Sequence, residues 1–241
     1  MAPIYGAHET SLPLALLLGF RDVTVWRFLL IATSLTAAQF VFFGAPFALF
    51  LIVAPDYGWT DWTAIVERLL NTVASLFGLA LLYWFRAALF AISPDLRPPR
   101  ALDVVLALVA GVLVSAAIRF EGVPDADDLR WYRDTLADFA PVMLPLYLVS
   151  GCLLAPLFEE ILYRWVGFMG LRARYGALAA FAVSTLVFYV HHLPRPDDLT
   201  HALVLVTGSA MACVLLLAGR SLWTCVALHA GFNLPVALLA A

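Results

Sequence analysis

Three polar clusters interrupt otherwise apolar stretches of this chain. They are Glu159-Glu160 with Arg164, Phe188 with His192, and His229 with Asn233. A carboxylate and an imidazole brought together can hold and deprotonate a water, which points to Glu159 and His192. A His/Asn pair can donate hydrogen bonds to the oxyanion that forms when water attacks an amide, which points to His229 and Asn233. Glu160 and Arg164 lie four apart, share a helix face and can pair, while Glu159 points about 100° away and keeps its carboxylate free. Phe188 shares a face with His192. His191 does not, and is read as passive. Small Ala230 and Gly231 between His229 and Asn233 favour close helix packing. Each cluster taken alone also fits a packing role: a buried ion pair, a surface imidazole, a polar pair joining two helices. Other hydrolytic chemistries have weaker footing, since there is no GxSxG and no cysteine adjoins a histidine cluster. Zinc would need Glu159, His192 and His229 together, and HExxH is absent. No cofactor is favoured.

The elements that carry these residues must be membrane helices. The chain of 241 residues is 63% hydrophobic and 13% charged, against about half and a quarter in soluble domains. Mean hydropathy is +0.93. Such a chain lacks the polar atoms to cover a soluble globule. A net charge of −3 offers no basic field for nucleic acid. All the cations are arginine, read as codon bias. Cys152, Cys213 and Cys225 stand singly in apolar runs and read as small core residues. No signal peptide is evident: the short apolar stretch Leu12–Phe20 follows His8 and Glu9 and reads as a half-helix at the interface.

Charge-poor runs long enough to cross a bilayer give about seven expected spans: Phe28–Pro55 with a kink or break at Gly44 and Pro46, Leu69–Phe85 or its extension past Arg86 to Ile92, Val104–Ile118, Phe139–Phe158, Tyr175–Pro194, Leu199–Gly219 and Ser221–Ala241. Arg86 snorkels to the interface, and Trp59 and Trp62 suit the aromatic belt. Polar connectors fall at Asp56–Arg68, Ser93–Arg100 and Arg119–Asp138. Continuous apolar runs exclude a β-barrel, whose strands alternate. The expected fold is therefore an all-α polytopic transmembrane bundle, residues 1–241 forming one integral membrane domain. Flanking arginines weigh modestly towards a cytoplasmic N-terminus.

Depth ties the clusters together. With a turn at Arg172–Gly176, Glu159 lies about 14 residues before it and His192 about 17 after, or roughly 21 and 25 Å at 1.5 Å per residue. With a second turn near Gly219–Ser221 on the same side, His229 and Asn233 rise about 13 and 20 Å. Independent packing residues have no reason to agree in depth. An ionisable residue within the membrane, costing roughly 2.5–3.5 kcal/mol on insertion scales, marks function by default.

These segments resemble the EExxxR, FxxxH and HxxxN motifs of the CAAX-prenyl-protease and bacteriocin-processing family of intramembrane endopeptidases. The likeness spans about 139–235, the expected catalytic core. It implies Glu159 as the base, His192 sharing its water, His229 and Asn233 as the oxyanion site or second ligand site, and Glu160, Arg164 and Phe188 in support. Tyr163-Arg164-Trp165 replaces the frequent Phe-Arg-Gly. The resemblance implies a membrane-anchored protein or peptide as substrate: a prenylated CAAX tail, a bacteriocin leader or a C-terminal sorting tail. The expected location is a bacterial inner (cell) membrane, with oligomeric state left open. Two other readings are a non-catalytic immunity or scaffold protein of the same family, and a small proton-coupled transporter relaying through Glu159 and His192. No internal repeat of the transporter kind is visible.

Overall fold

The computed structural model describes residues 23–53, 61–84, 96–120, 140–192 and 199–239. The Leu12–Phe20 half-helix, Trp59, Arg86 and nearly all of the Arg119–Asp138 connector lie outside them.

Every element among the described residues is helical. Thr24 opens α1 (Val25–Gln39), its Oγ1 accepting from the Arg27 amide at 3.3 Å. A π turn, Phe40–Gly44, leads into α2 (Ala45–Val53). Then come α3 (Asp61–Trp84) and α4 (Ala101–Phe120). Next are α5 (Ala140–Val149), a second π turn (Ser150–Leu154), α6 (Ala155–Glu159) and a long π segment (Glu160–Met169). The chain closes with α7 (Gly170–His191), α8 (Leu199–Leu217) and α9 (Leu222–Leu239).

The kink expected at Gly44 and Pro46 is a π turn and not a break. Proline has no amide, and its ring clashes with the carbonyl four residues back. Widening one turn removes the clash, and the Ala45 amide reaches Phe40 O, five residues back. The step Ala155-Pro156 repeats the device, with the Ala155 amide on Ser150 O.

Five stretches among the described residues are long and apolar enough to cross a membrane: Val25–Gly44, Ile65–Trp84, Ala101–Ile118, Leu144–His191 and Leu199–Leu217. The chain is an integral, multi-pass membrane protein. The count differs from the expected seven because Leu144–His191 holds two antiparallel stretches joined at Gly176 yet counts once, and because α9, which carries His229, Asn233 and Pro235, is not among the five. The long run nevertheless doubles back where expected. Gly176 adopts φ 81°, ψ 167°, a backbone state open to glycine. Beyond it α7 returns antiparallel to the π segment. Gly219, φ 73°, caps α8: its amide bonds Leu216 O and that of Arg220 bonds Leu215 O, the paired bonds of a Schellman cap.

The buried centre is the π segment itself. Glu160 and every residue from Leu162 to Phe168 are buried. Phe28, Ile31, Ala32 and Leu35 on one face of α1 close over it, while Trp26, Leu30, Leu178 and Val214 face outward. Cys213 and Cys225 are buried, Cys152 is partly so, and none forms a disulfide.

The tightest seam joins α4 and α9. A Cβ at Gly111 would collide with the Leu228 carbonyl, and one at Gly231 with that of Leu108. Ser115 Oγ donates to Phe232 O at 2.8 Å across the same seam. At its end Arg220 meets Asp103 at 2.9 Å. Gly231→Val should therefore force backbones apart. A loss of about 1–3 kcal/mol for overpacking corresponds to a fall in detergent melting temperature of roughly 2–12 °C, whereas Leu178→Val on the outer surface should leave it unchanged.

Candidate active site

The wide turn of the π segment sets the first cluster. Glu159 ends α6 and Glu160 opens the π segment, so their carboxylates leave the helix in different directions. Glu160 turns inward and is 1% exposed, 3.3 Å from Arg164 Nε, itself 3% exposed. The arginine is further held by Ser209 Oγ of α8, which accepts from Nη2 at 3.0 Å, and by the Phe188 ring, 4.3 Å from its Cζ. A cation over an aromatic face in a desolvated setting is attracted to the ring quadrupole.

Glu160 has a second partner that spacing along one helix does not reveal. Its Oε1 accepts from His229 Nδ1 at 2.8 Å. With Nδ1–H committed to Glu160, the Nε2 edge of His229 turns to Glu159, 3.6 Å from Oε2. His192 is oriented the same way. Its Nδ1–H donates to Phe188 O at 2.7 Å, and its Nε2 lies 3.7 Å from the same Glu159 oxygen. One carboxylate oxygen thus faces two imidazole nitrogens, each beyond direct hydrogen-bond range and each fixed from behind. Glu159, His192 and His229 keep 18%, 29% and 14% of their side-chain surface, so a substrate can touch them. Glu160 and Arg164 are sealed beneath.

Phe188 is the hub of this packing. Its ring centroid lies 4.3 Å from that of His192, 5.0 Å from Tyr163 and 6.0 Å from His229. Asn233 stands one helical turn beyond His229, and its Nδ2 donates to Gly151 O at 2.7 Å, leaving one N–H unspent. Small Gly208 opens a cavity beside Arg164, Phe188, His229 and Asn233 that touches neither Glu159 nor His192.

The seven residues singled out in the sequence therefore meet, drawn from α6, the π segment, α7 and α9. His191 stays out of the cluster but is not idle, its Nδ1 lying 2.7 Å from Tyr163 Oη. The Phe28 ring of α1 meets the Tyr163 ring edge-on, centroids 6.5 Å apart, so Tyr163 ties α1 and the end of α7 to the π segment. Sequence reasoning missed Tyr163, Ser209 and the Gly151 carbonyl. The hydroxyl of Tyr163, where a phenylalanine is frequent, was the visible signal for the first.

Zinc would be held by Glu159, His192 and His229. Among the described residues no group of three or more His, Cys, Asp and Glu is placed to hold a metal ion.

Residues 141–235 match the family described as type II CAAX prenyl endopeptidase Rce1-like. This stretch is similar to that family, and the match supports the likeness read from the three motifs. The Rce1-like segment begins in α5 and ends in α9, taking in every member of the cluster. The family is one of CAAX proteases, and the match supports a peptidase. No curated protein and no solved structure matches the chain.

Glu160 carries two duties here, neutralising Arg164 and orienting His229. Glu160→Gln should leave a buried cation unpaired at a cost of about 3–5 kcal/mol. It should also release the His229 ring. Melting in detergent tests the first effect, and the second predicts that Arg164→Met, which removes the cation, restores melting to Glu160→Gln without restoring turnover.

Proposed function

We propose that this protein is an intramembrane endopeptidase in which Glu159 activates a water for attack on a peptide bond. The observation that carries the reading is the approach of His192 Nε2 and His229 Nε2 to one oxygen of Glu159, at 3.7 and 3.6 Å. Gaps of that size between a carboxylate and an imidazole suit a shared water better than a direct bond.

In this mechanism the water sits between Glu159 and His192. It donates one hydrogen to the carboxylate and the other to the Nε2 lone pair of His192, whose Nδ1–H is engaged by Phe188 O. Glu159 takes the proton as the oxygen bonds to the carbonyl carbon. The carbonyl oxygen becomes an oxyanion, received by the unspent N–H of Asn233 and by His229. For His229 to donate through Nε2 while Nδ1–H is held by Glu160, it must carry both protons. Two carboxylates flank that charge. Collapse of the intermediate breaks the C–N bond, and the proton on Glu159 passes to the departing amine. Glu160, Arg164 and Phe188 hold the set in place.

The substrate is a membrane-anchored protein or peptide: a prenylated CAAX tail, a bacteriocin leader or a C-terminal sorting tail. The setting is a bacterial inner membrane. No step requires a metal or other cofactor. The reading is supported by the anchoring of Asn233 through its amide nitrogen, since the orientation that donates to Gly151 O also offers the second N–H.

On a fluorogenic farnesylated CAAX peptide, purified Glu159→Gln should lose about 10²-fold or more in turnover, the scale of a general base, while melting like the parent. Near-normal cleavage by this variant would overturn the mechanism. Asn233→Ala should lose roughly a hundred-fold or more in kcat with KM little changed. Activity should survive exhaustive chelation. Loss on chelation, reversed by zinc alone and matched by stoichiometric zinc, would return the site to metal-assisted hydrolysis.

A further inference from the structure

Gly151 holds the clue to how Asn233 is aimed. In an α-helix its carbonyl would accept from the amide of residue 155. Here the Ala155 amide goes instead to Ser150 O. In the π pattern, five residues apart, the donor to Gly151 O would be residue 156. That residue is Pro156, which has no amide. Both helical donors are therefore gone. A carbonyl within the bundle must find a partner or bear a desolvation cost. The partner it finds is Asn233 Nδ2 of α9, at 2.7 Å.

We propose that Pro156 is a positioning residue, which sets Asn233 by stripping the Gly151 carbonyl of its helical donors so that it must take the carboxamide. Position in the chain supports this. Pro156 stands three residues before Glu159, so one residue widens the turn, delivers the carbonyl and leads directly into the base. Ala45-Pro46 supplies an internal replicate of the first half of the argument. There too the amide before the proline reaches back five residues, to Phe40 O. The Ala-Pro step and the π turn go together in this protein, and at Pro156 the released carbonyl has been given a use. Asn233 is locked on one N–H and one orientation, so its other N–H has a fixed direction. The catalytic consequence rests on the proposed oxyanion role of Asn233, whereas the hydrogen-bond relation between Pro156, Gly151 and Asn233 does not.

The chain contains two asparagines, Asn71 and Asn233, so ¹⁵N-asparagine labelling of the full-length protein in micelles gives two side-chain amide pairs. Asn71 is exposed beside Glu67, and Asn233→Ala assigns the other pair. The parent should show one exchange-protected Asn233 proton. Pro156→Ala and Pro156→Ser each restore an amide at 156, turning the Gly151 carbonyl back along the helix. Exchange of that proton should quicken about tenfold, the scale of one net hydrogen bond. The Asn71 pair should not move, and Pro46→Ala should leave both pairs unchanged. On the farnesylated peptide, Pro156→Ala should lower kcat with KM unchanged, and should add nothing to the loss in Asn233→Ala. An Asn233 proton equally protected in the parent and both Pro156 variants would overturn the proposal, as would a kcat loss fully additive with that of Asn233→Ala. If the parent cleaves no peptide, the protease reading fails, and the exchange data alone still decide what Pro156 does.

Discussion

A charged pair removed from water has to be satisfied by its own surroundings, and the arrangement around Glu160 and Arg164 follows from that constraint. Desolvation costs several kcal/mol per ion, and mutual attraction repays it only when the geometry is good and the remaining donors and acceptors find partners. Here the partners come from different helices. His229 of α9 takes one oxygen of Glu160. Ser209 of α8 takes one nitrogen of Arg164. Phe188 of α7 covers the guanidinium. Three helices are thereby fastened to one point on the π segment. These contacts leave Arg164 Nη1 without a hydrogen-bond partner, and they set the face of His229 that is turned to Glu159.

The two carboxylates thus do unlike work for a geometric reason. They are neighbours in the chain, but one ends an α-helical turn and the other starts a wider one. The inner carboxylate organises and the outer one keeps contact with the surface. An Nδ1–H bound from behind is assigned to both histidines by what that nitrogen meets: a backbone carbonyl for His192, a carboxylate for His229. Such partners fix ring orientation. Both rings are thereby held with Nε2 turned towards Glu159.

Much of this was legible before any coordinates. Composition specified helices in lipid, Gly176 and Gly219 marked turns that a positive φ confirms, and four-residue spacing paired Glu160 with Arg164, Phe188 with His192 and His229 with Asn233. Matched distances from the turns brought the clusters to one depth. What spacing on a single helix cannot carry is the choice of partner across helices. His229 was paired by periodicity with Asn233, whereas its ring is bound to Glu160 and Asn233 is bound to Gly151 O. The π turns were also hidden. Hydrophobic periodicity reports an average over many residues, and a single widened turn barely alters it. The local cue was the Ala-Pro step, which was read at Pro46 as a kink.

The α4–α9 seam carries a consequence for traffic. Where Gly111 and Gly231 bring two backbones together with no room for a methyl group, nothing the size of a polypeptide passes between the helices. Asp103 with Arg220, and Leu96 O with Trp223 Nε1, pin the same pair at one end. A molecule tethered in the bilayer therefore cannot reach Glu159 by sliding in sideways through this wall. Under the proposed protease reading, lateral entry would have to use another flank of the bundle, with this wall as the fixed jamb against which any parting of helices would be measured.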